Sequence, residues 1–213
     1  ASGISNGFKH QGNDHTIVCA IAGDGGTVDI GLQSLSGAME RNENIIYICY
    51  DNEAYMNTGV QGSSSTPFGA STTTTPAGKP VNNKDLFQIC MAHHIPYAAT
   101  ASIANLPDLR RKVQKAKDTK GCRVLHIMSP CPTGWIYKSS KTVEVAREAI
   151  NCGAWVLVEY ENGVNGAYWC SQIAAGKLNG LTIRIYGSEG ALEWEQHYPD
   201  YLKYTPKGKP TET

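Results

Sequence analysis

The sequence predicts an α/β fold with a mostly parallel sheet, helices on both faces, and a short antiparallel β-meander as a tail. Three observations carry that expectation. Residues 1–160 alternate short apolar runs with segments of helical spacing, as successive βαβ units do. The apolar runs read as buried strands rather than as half-exposed ones. Beyond about Glu161 the pattern changes to short segments punctuated by Gly163, Gly166, Gly176, Gly180, Gly187 and Gly190.

Taken in order, residues 15–22 form the first buried strand. Residues 27–41 place Val28, Leu32, Leu35 and Met39 at helical spacing. Residues 44–50, Asn-Ile-Ile-Tyr-Ile-Cys-Tyr, form the second strand. A loop rich in Gly, Ser, Thr and Pro follows from Asp51 to about Asn83; one so long is usually functional or disordered. Further helices are expected over 84–93, 106–117 and 142–152, and strands over 97–101, 123–128 and 155–160. In the meander, 166–173, 181–186, 191–195 and 201–204 read as strands, with a tight turn at Gly187–Gly190. This divides the chain into a domain over 1–160 and a β-rich tail over 161–213, fraying from Lys207.

The chain is 41% hydrophobic and 18% charged, with 19 basic and 19 acidic residues. A zero balance supplies no electrostatic attraction to nucleic acid or to a membrane surface, so neither is expected as a partner. The densest basic cluster, Arg110, Arg111, Lys112, Lys115 and Lys117, alternates with Leu109, Val113 and Ala116 and reads as an amphipathic helix. No apolar run approaches the ~18 residues of a membrane span, and no secretory signal is recognisable. The seven cysteines are odd in number and contain no Cys-x-x-Cys pair, which fits a reducing cytoplasm better than a disulfide scaffold.

The chemical signal is Gly23-Asp24-Gly25-Gly26 after the first strand and Asp51-Asn52 after the second. Twenty-five residues lie between Gly25 and Asp51, and with the helix among them this is one βαβ unit. Asp24 and Asn52 are then expected at the carboxyl edge of the sheet, where open α/β sheets bind ligands. Their oxygens suit magnesium, which takes about six oxygen ligands, a few from protein and the rest from phosphate or water. A backbone carbonyl near Ala54 can add a third. Gly25 and Gly26 leave room for phosphate, and a helix starting near Thr27 directs free N–H groups at the anion. Other candidates are weaker. His93-His94 sit at a helix end without partner ligands, Ser63-Ser64-Ser65 lacks the context of a nucleophile elbow, and no Gly-x-Gly-x-x-Gly opens a helix.

Gly23-Asp24-Gly25 followed by Asn52 matches the thiamine-diphosphate motif. The longer runs over 23–38, 47–59, 72–78 (Thr-Thr-Thr-Thr-Pro-Ala-Gly), 95–104 and 130–135 (Pro-Cys-Pro-Thr-Gly-Trp) resemble beta subunits of pyruvate and related 2-oxoacid:ferredoxin oxidoreductases. The resemblance covers residues 1 to about 160 and implies a thiamine-diphosphate-binding fold. By it, Asp24, Asn52 and the Ala54 carbonyl are magnesium ligands, and Gly23, Gly25, Gly26 and Tyr55 border the cofactor. Asn57 and Thr58 lie on the loop entering the active site, with Asn57 nearest substrate or thiazolium. Cys131 matches the fourth ligand of a [4Fe-4S] cluster, whose other three cysteines lie upstream of residue 1. The implied reaction is oxidative decarboxylation of a small 2-oxo acid such as pyruvate, with electrons passing through iron–sulfur clusters to ferredoxin and the acyl group to coenzyme A. The resemblance also implies an alpha-type subunit, whose pyrimidine domain supplies the activating glutamate. Neither Glu40 nor Glu53 is assigned that role.

The tail is different. Residues 166–194 and 204–208 resemble the C-terminal sheet of the glucose–fructose oxidoreductase/inositol dehydrogenase family, without that family's dinucleotide domain or catalytic lysine motif. Fusion, chimera and gene-model error remain open for the junction. A second expectation follows: a non-catalytic chain that keeps the fold and serves assembly through its β-rich tail.

Overall fold

The computed structural model describes residues 1–161, 181–187 and 189–212. The chain divides into two compact units, Ala1–Ala167 and Tyr168–Thr213, taken separately below.

In chain order the first unit contains α1 (Ser2–His10), β1 (Val18–Gly23), a π-helical turn (Gly25–Asp29), α2 (Leu32–Glu40) and β2 (Ile45–Asp51). The short pair β3 (Ala54–Tyr55) and β4 (Gln61–Gly62) flanks a 3-10 turn, Met56–Thr58. Then come α3 (Leu86–Ala92), β5 (Tyr97–Ser102), α4 (Leu106–Asp118), β6 (Cys122–Met128), α5 (Thr142–Asn151) and β7 (Glu159–Glu161). The sheet order is β1-β2-β6-β5-β7. The first four strands are parallel, and β7 pairs antiparallel with β5.

Strand alternation separates two cores. Val18, Ile45, Cys49, Ala98, Cys122 and Val124 face Val28, Leu35 and Met39 of the β1–β2 crossover and Leu86, Phe87 and Cys90 of α3. Ile46, Tyr97, Ala99 and Leu125 point the other way, onto Ala116 of α4. Period-two side-chain direction in runs that are apolar throughout buries both faces of the inner strands β5 and β6, whereas β1 at the sheet edge leaves Ile21 exposed. Helices therefore cover both sides, as the alternation pattern requires.

Three elements differ from the sequence expectation. The helix expected over 27–41 begins instead as the π-helical turn at Gly25 and becomes α-helical only at Leu32. Its first turn is widened at Gly31, where a Cβ would lie 2.2 Å from the Gly26 carbonyl oxygen. The strand expected over 155–160 is confined to Glu159–Glu161. The residues before it turn onto β5: Trp155 Nε1 donates to Ala101 O at 2.9 Å, and the Thr100 hydroxyl donates to Val156 O and accepts from Val158 N, both at 2.6 Å. Finally, α1 has no counterpart in the expected elements, because Gly3 and Gly7 dilute its helical signal. Phe8 packs it onto the first core, and Ser5 Oγ donates to Asn44 O at 3.0 Å.

The second unit has an antiparallel sheet ordered β10-β9-β8 from β8 (Thr182–Gly187), β9 (Gly190–Glu195) and β10 (Leu202–Pro206). Gly187 pairs with Gly190, so the chain reverses where the glycines predict a turn. One sheet face carries Ile183, Ile185, Leu192, Trp194, Leu202 and Tyr204; the other carries Arg184 and Lys203 around Glu193. The strand expected over 166–173 lies outside the described residues.

Candidate functional site

The register brings the sequence-selected residues to one edge. Gly23 ends β1 opposite Tyr50, and Asp51 ends β2 opposite Met128 of β6. Asp24 follows immediately and is 2% exposed; Asn52 is half-buried and Ala54 buried. The outer end of the Asn52 amide lies 2.7 Å from Ala54 O and 3.1 Å from Asp24 Oδ1. With nitrogen at that position, both contacts are hydrogen bonds. With oxygen there, three acceptor oxygens converge with no proton among them, an arrangement that only a cation makes favourable. Oxygens at 2.0–2.1 Å around octahedral magnesium stand about 2.9 Å apart. The two spacings bracket that edge length, so with its oxygen turned to this side Asn52 stands at distances from Ala54 O and Asp24 Oδ1 that suit magnesium.

The Ala54 carbonyl is presented by an unusual turn. Glu53 has φ +66°, in the left-handed region where a glutamate is strained. Asp51 supports that turn by accepting from Glu53 N at 2.8 Å, and the Thr66 hydroxyl donates to Glu53 O. Three carboxyls thus gather at the strand ends. Burial, then the Asp51 charge, push the Asp24 carboxyl up to about 6 despite a hydrogen bond from Ser63. Burial, then Asp51 and Asp24, push Glu53 up to about 8. Burial would also raise fully enclosed Asp51, but the hydrogen bond and charge of His126 with bonds from Ser65 and Glu53 N hold it below its ordinary value. A concentration of negative charge like this favours a bound cation.

The sequence reading missed most of what holds these acids. Ser63-Ser64-Ser65, set aside as no nucleophile elbow, supplies one donor to each of three aspartates. Ser63 Oγ donates to Asp24 Oδ2 at 2.5 Å, Ser64 N to Asp29 Oδ2 at 3.0 Å, and Ser65 Oγ to Asp51 Oδ2. Lys79, 8% exposed, clamps this loop through the carbonyls of Ser63 (3.0 Å) and Thr66 (2.6 Å). His126 Nε2 lies 2.7 Å from Asp51 Oδ2 and its ring meets Trp155 edge-on at 4.7 Å. A usable signal existed: buried carboxylates need donors, and a hydroxyl-rich loop follows these directly in sequence.

The remaining named residues are distributed around the edge. Tyr55 covers Gly25, where a Cβ would lie 2.2 Å from the ring; its hydroxyl donates to Asp29 Oδ2 at 2.9 Å. Gly25 is thus required by the tyrosine beside it, whereas exposed Gly26 would meet only Ala22 Cβ at 3.6 Å. Asn57 and Thr58 sit exposed on the 3-10 turn, with Thr58 Oγ1 bonded to Gln61 Oε1 at 2.5 Å. The Pro-Cys-Pro-Thr-Gly-Trp segment reaches the site from the β6 side. Trp135 Nε1 donates to Asn52 O at 3.0 Å and Gly134 packs on Met56, which leaves Cys131 half-exposed as a free thiol. Away from the site, His93 Nε2 bonds Ser36 Oγ at 3.0 Å. Among the described residues, no helix is long and apolar enough to cross a membrane.

Comparison with known proteins agrees with this geometry. The chain is 56% identical over 170 residues to pyruvate synthase subunit PorB of Methanothermobacter thermautotrophicus, covering 76% of this chain and 58% of that protein. It is 46% identical over 209 residues to subunit PorB of Pyrococcus horikoshii, covering 96% of this chain and 62% of that one. The second alignment is long enough to include most of the tail. The chain therefore spans about three fifths of the length of these relatives. Among solved structures it is similar to the 2-oxoglutarate:ferredoxin oxidoreductase of Magnetococcus marinus, determined with 2-oxoglutarate, coenzyme A and succinyl-CoA bound. That match has a TM-score of 0.58 and 25% identity, and covers 70% of this chain and 50% of the other. The family of the thiamine pyrophosphate enzyme, C-terminal TPP binding domain, matches residues 1–127, and the chain belongs to it.

Proposed function

We propose that this chain supplies the diphosphate-and-magnesium half of a thiamine-diphosphate site in a 2-oxoacid:ferredoxin oxidoreductase. The observation that carries this reading is the convergence on one point of the Asn52 amide, 2.7 Å from Ala54 O and 3.1 Å from Asp24 Oδ1. Asp24, Asn52 and Ala54 O would hold the magnesium, with Gly23, Gly25, Gly26 and Tyr55 bordering the diphosphate. The first N–H groups of the turn beginning at Gly25 have no partner within it and suit an anion. Thiamine diphosphate, when bound, supplies the carbanion that adds to a 2-oxo acid and allows decarboxylation. Asn57 and Thr58 would meet the substrate, and their exposure beyond the Ala54 turn supports that reading. The half-exposed Cys131 would be one thiolate of a [4Fe-4S] cluster whose other ligands this sequence does not contain. Pyruvate-type 2-oxo acids, coenzyme A, ferredoxin, an alpha-type subunit with the pyrimidine domain, and a cytoplasmic location all belong to this reading.

Its test is calorimetric titration of thiamine diphosphate with magnesium into the chain assembled with an alpha-type subunit, alongside 2-oxo-acid-dependent reduction of ferredoxin. Saturable binding that a chelator reverses is expected. An assembled complex that takes up no thiamine diphosphate would overturn the reading.

We further propose that the tail from 161 onward is a separate module that takes no part in the cofactor site. The compact unit Tyr168–Thr213 and the likeness of 166–194 to a dehydrogenase C-terminal sheet support this, while the pairing of Glu161 with Tyr97 and the long Pyrococcus alignment weigh toward continuity. A chain ending at Glu161 is expected to bind thiamine diphosphate within about twofold of the full chain, since a unit with its own core that supplies no ligand leaves the site's affinity unchanged. A loss beyond tenfold would tie the tail to the site.

A further inference from the structure

Ser63 is 5% exposed and its hydroxyl has one orientation. The oxygen accepts from Ser65 N at 3.1 Å, which leaves its proton for Asp24 Oδ2 at 2.5 Å. The backbone that carries this hydroxyl is held in place, because Ser63 N donates to Thr66 Oγ1 at 2.9 Å and Ser63 O accepts from Lys79 at 3.0 Å. One oxygen of Asp24 is therefore occupied, and the other, Oδ1, is the one facing the Asn52 amide at 3.1 Å.

Cations differ in what they ask of a carboxylate. Magnesium demands near-ideal octahedral geometry and draws single oxygens from its carboxylates. Calcium is larger, takes 6–8 oxygens and accepts both oxygens of one carboxylate. A donor fixed on Oδ2 takes one of that oxygen's two lone pairs and disfavours the two-oxygen mode, while the one-oxygen mode is left intact.

We infer that Ser63 is a positioning residue that holds Asp24 as a one-oxygen ligand and so sets the site's preference for magnesium over calcium. The inference rests on the reading of Asp24, Asn52 and Ala54 as cation ligands.

The test uses the full 213-residue chain assembled with an alpha-type subunit and measures thiamine diphosphate affinity twice, in magnesium and in calcium. The ratio of the two affinities is the readout, and it does not respond to a uniform weakening of the site. Ser63→Ala is expected to shift that ratio toward calcium by roughly tenfold, the size of losing one charge-assisted hydrogen bond at the lower end of its range. Ser63→Thr, which keeps the hydroxyl, is expected to restore the original ratio. If the alanine variant does not fold by thermal melting, Ser63→Cys, with a weaker donor of similar size, is expected to shift the ratio in the same direction by less. An unchanged ratio in whichever of the two folds overturns the inference, even when affinity drops for both cations, because that outcome is purely structural. Absence of binding by the unaltered assembled complex with either cation overturns the ligand reading itself, and the role of Ser63 with it.

Discussion

Asp24→Asn is expected to abolish magnesium-dependent thiamine diphosphate binding and, in the absence of cofactor, to raise the melting temperature of the chain. The first effect follows from the ligand set: outer-shell substitutions already weaken metal sites 10–100-fold, so a direct carboxylate ligand should cost at least about 100-fold. The second follows from burial. The Asp24 carboxyl rises from 3.8 to about 6 in the folded chain. Between those values the folded chain keeps a proton that the unfolded chain has released, so cation-free stability falls as pH rises through the window. Above it the charged, enclosed Asp24 costs on the order of 2–3 kcal/mol, which Asn avoids. The cation-free variant should melt about 5–10 °C above the unaltered chain at pH 7.5, with the difference fading below pH 4. With magnesium and thiamine diphosphate at saturation the order should invert, since only the unaltered chain gains ligand-linked stability. Scanning calorimetry across pH, with and without cofactor, checks both effects. A variant that retains ordinary affinity would remove Asp24 from the ligand set.

Asp51→Ala is expected to act through the fold. Its enclosed carboxylate accepts from Ser65 and Glu53 N and pairs with His126. Truncation leaves those buried groups without their acceptor and releases the left-handed turn at Glu53 that presents the Ala54 carbonyl. Breaking a buried pair by removing one member typically costs 3–5 kcal/mol. For a domain of this size that corresponds to a melting temperature lower by about 10 °C or more. Cofactor binding should weaken as well, because Ala54 O loses its support. His126→Gln keeps a hydrogen-bonding group toward Asp51 and is expected to lose less than half as much stability. Equal losses in the two variants would place the cost in packing around His126 and Trp155 rather than in the aspartate's hydrogen bonds.

The two substitutions separate kinds of information in the chain. Asp24 and Asn52 were legible from sequence because both follow apolar runs at the spacing of one βαβ unit. Parallel pairing of β1 with β2 then leaves no other edge for them. Resemblance over the longer runs named the cofactor that such an edge would hold, and the match of the TPP-binding family over residues 1–127 agrees. The role of Asp51 was not legible, although it adjoins Asn52 in sequence. Its partners Ser65 and His126 are 14 and 75 residues away and meet it only because β2 pairs with β6 and the serine loop folds back over the strand ends.

The serine-rich loop makes the same point. Composition marks 51–83 as a connection and local propensity gives it no regular element, so pattern reading stops there. Its order comes from Lys79 and from three aspartates that need donors once burial has removed water from them. Gly25 was legible as a position without a side chain, but its neighbour Tyr55 was not.

What the sequence by itself determined is the alternation of strands and helices, the change of pattern near residue 161, and the edge at which two oxygen-bearing residues emerge. Those properties are periodic or local, and period and spacing are written in the order of residues. Only the tertiary structure decided which donors quench the buried acids, which oxygen of Asp24 faces the Asn52 amide, and how a strained glutamate turns the Ala54 carbonyl toward the amide of Asn52. Each of these depends on atoms brought together from distant parts of the chain, where hydrogen-bond direction and burial, rather than sequence separation, set the energy.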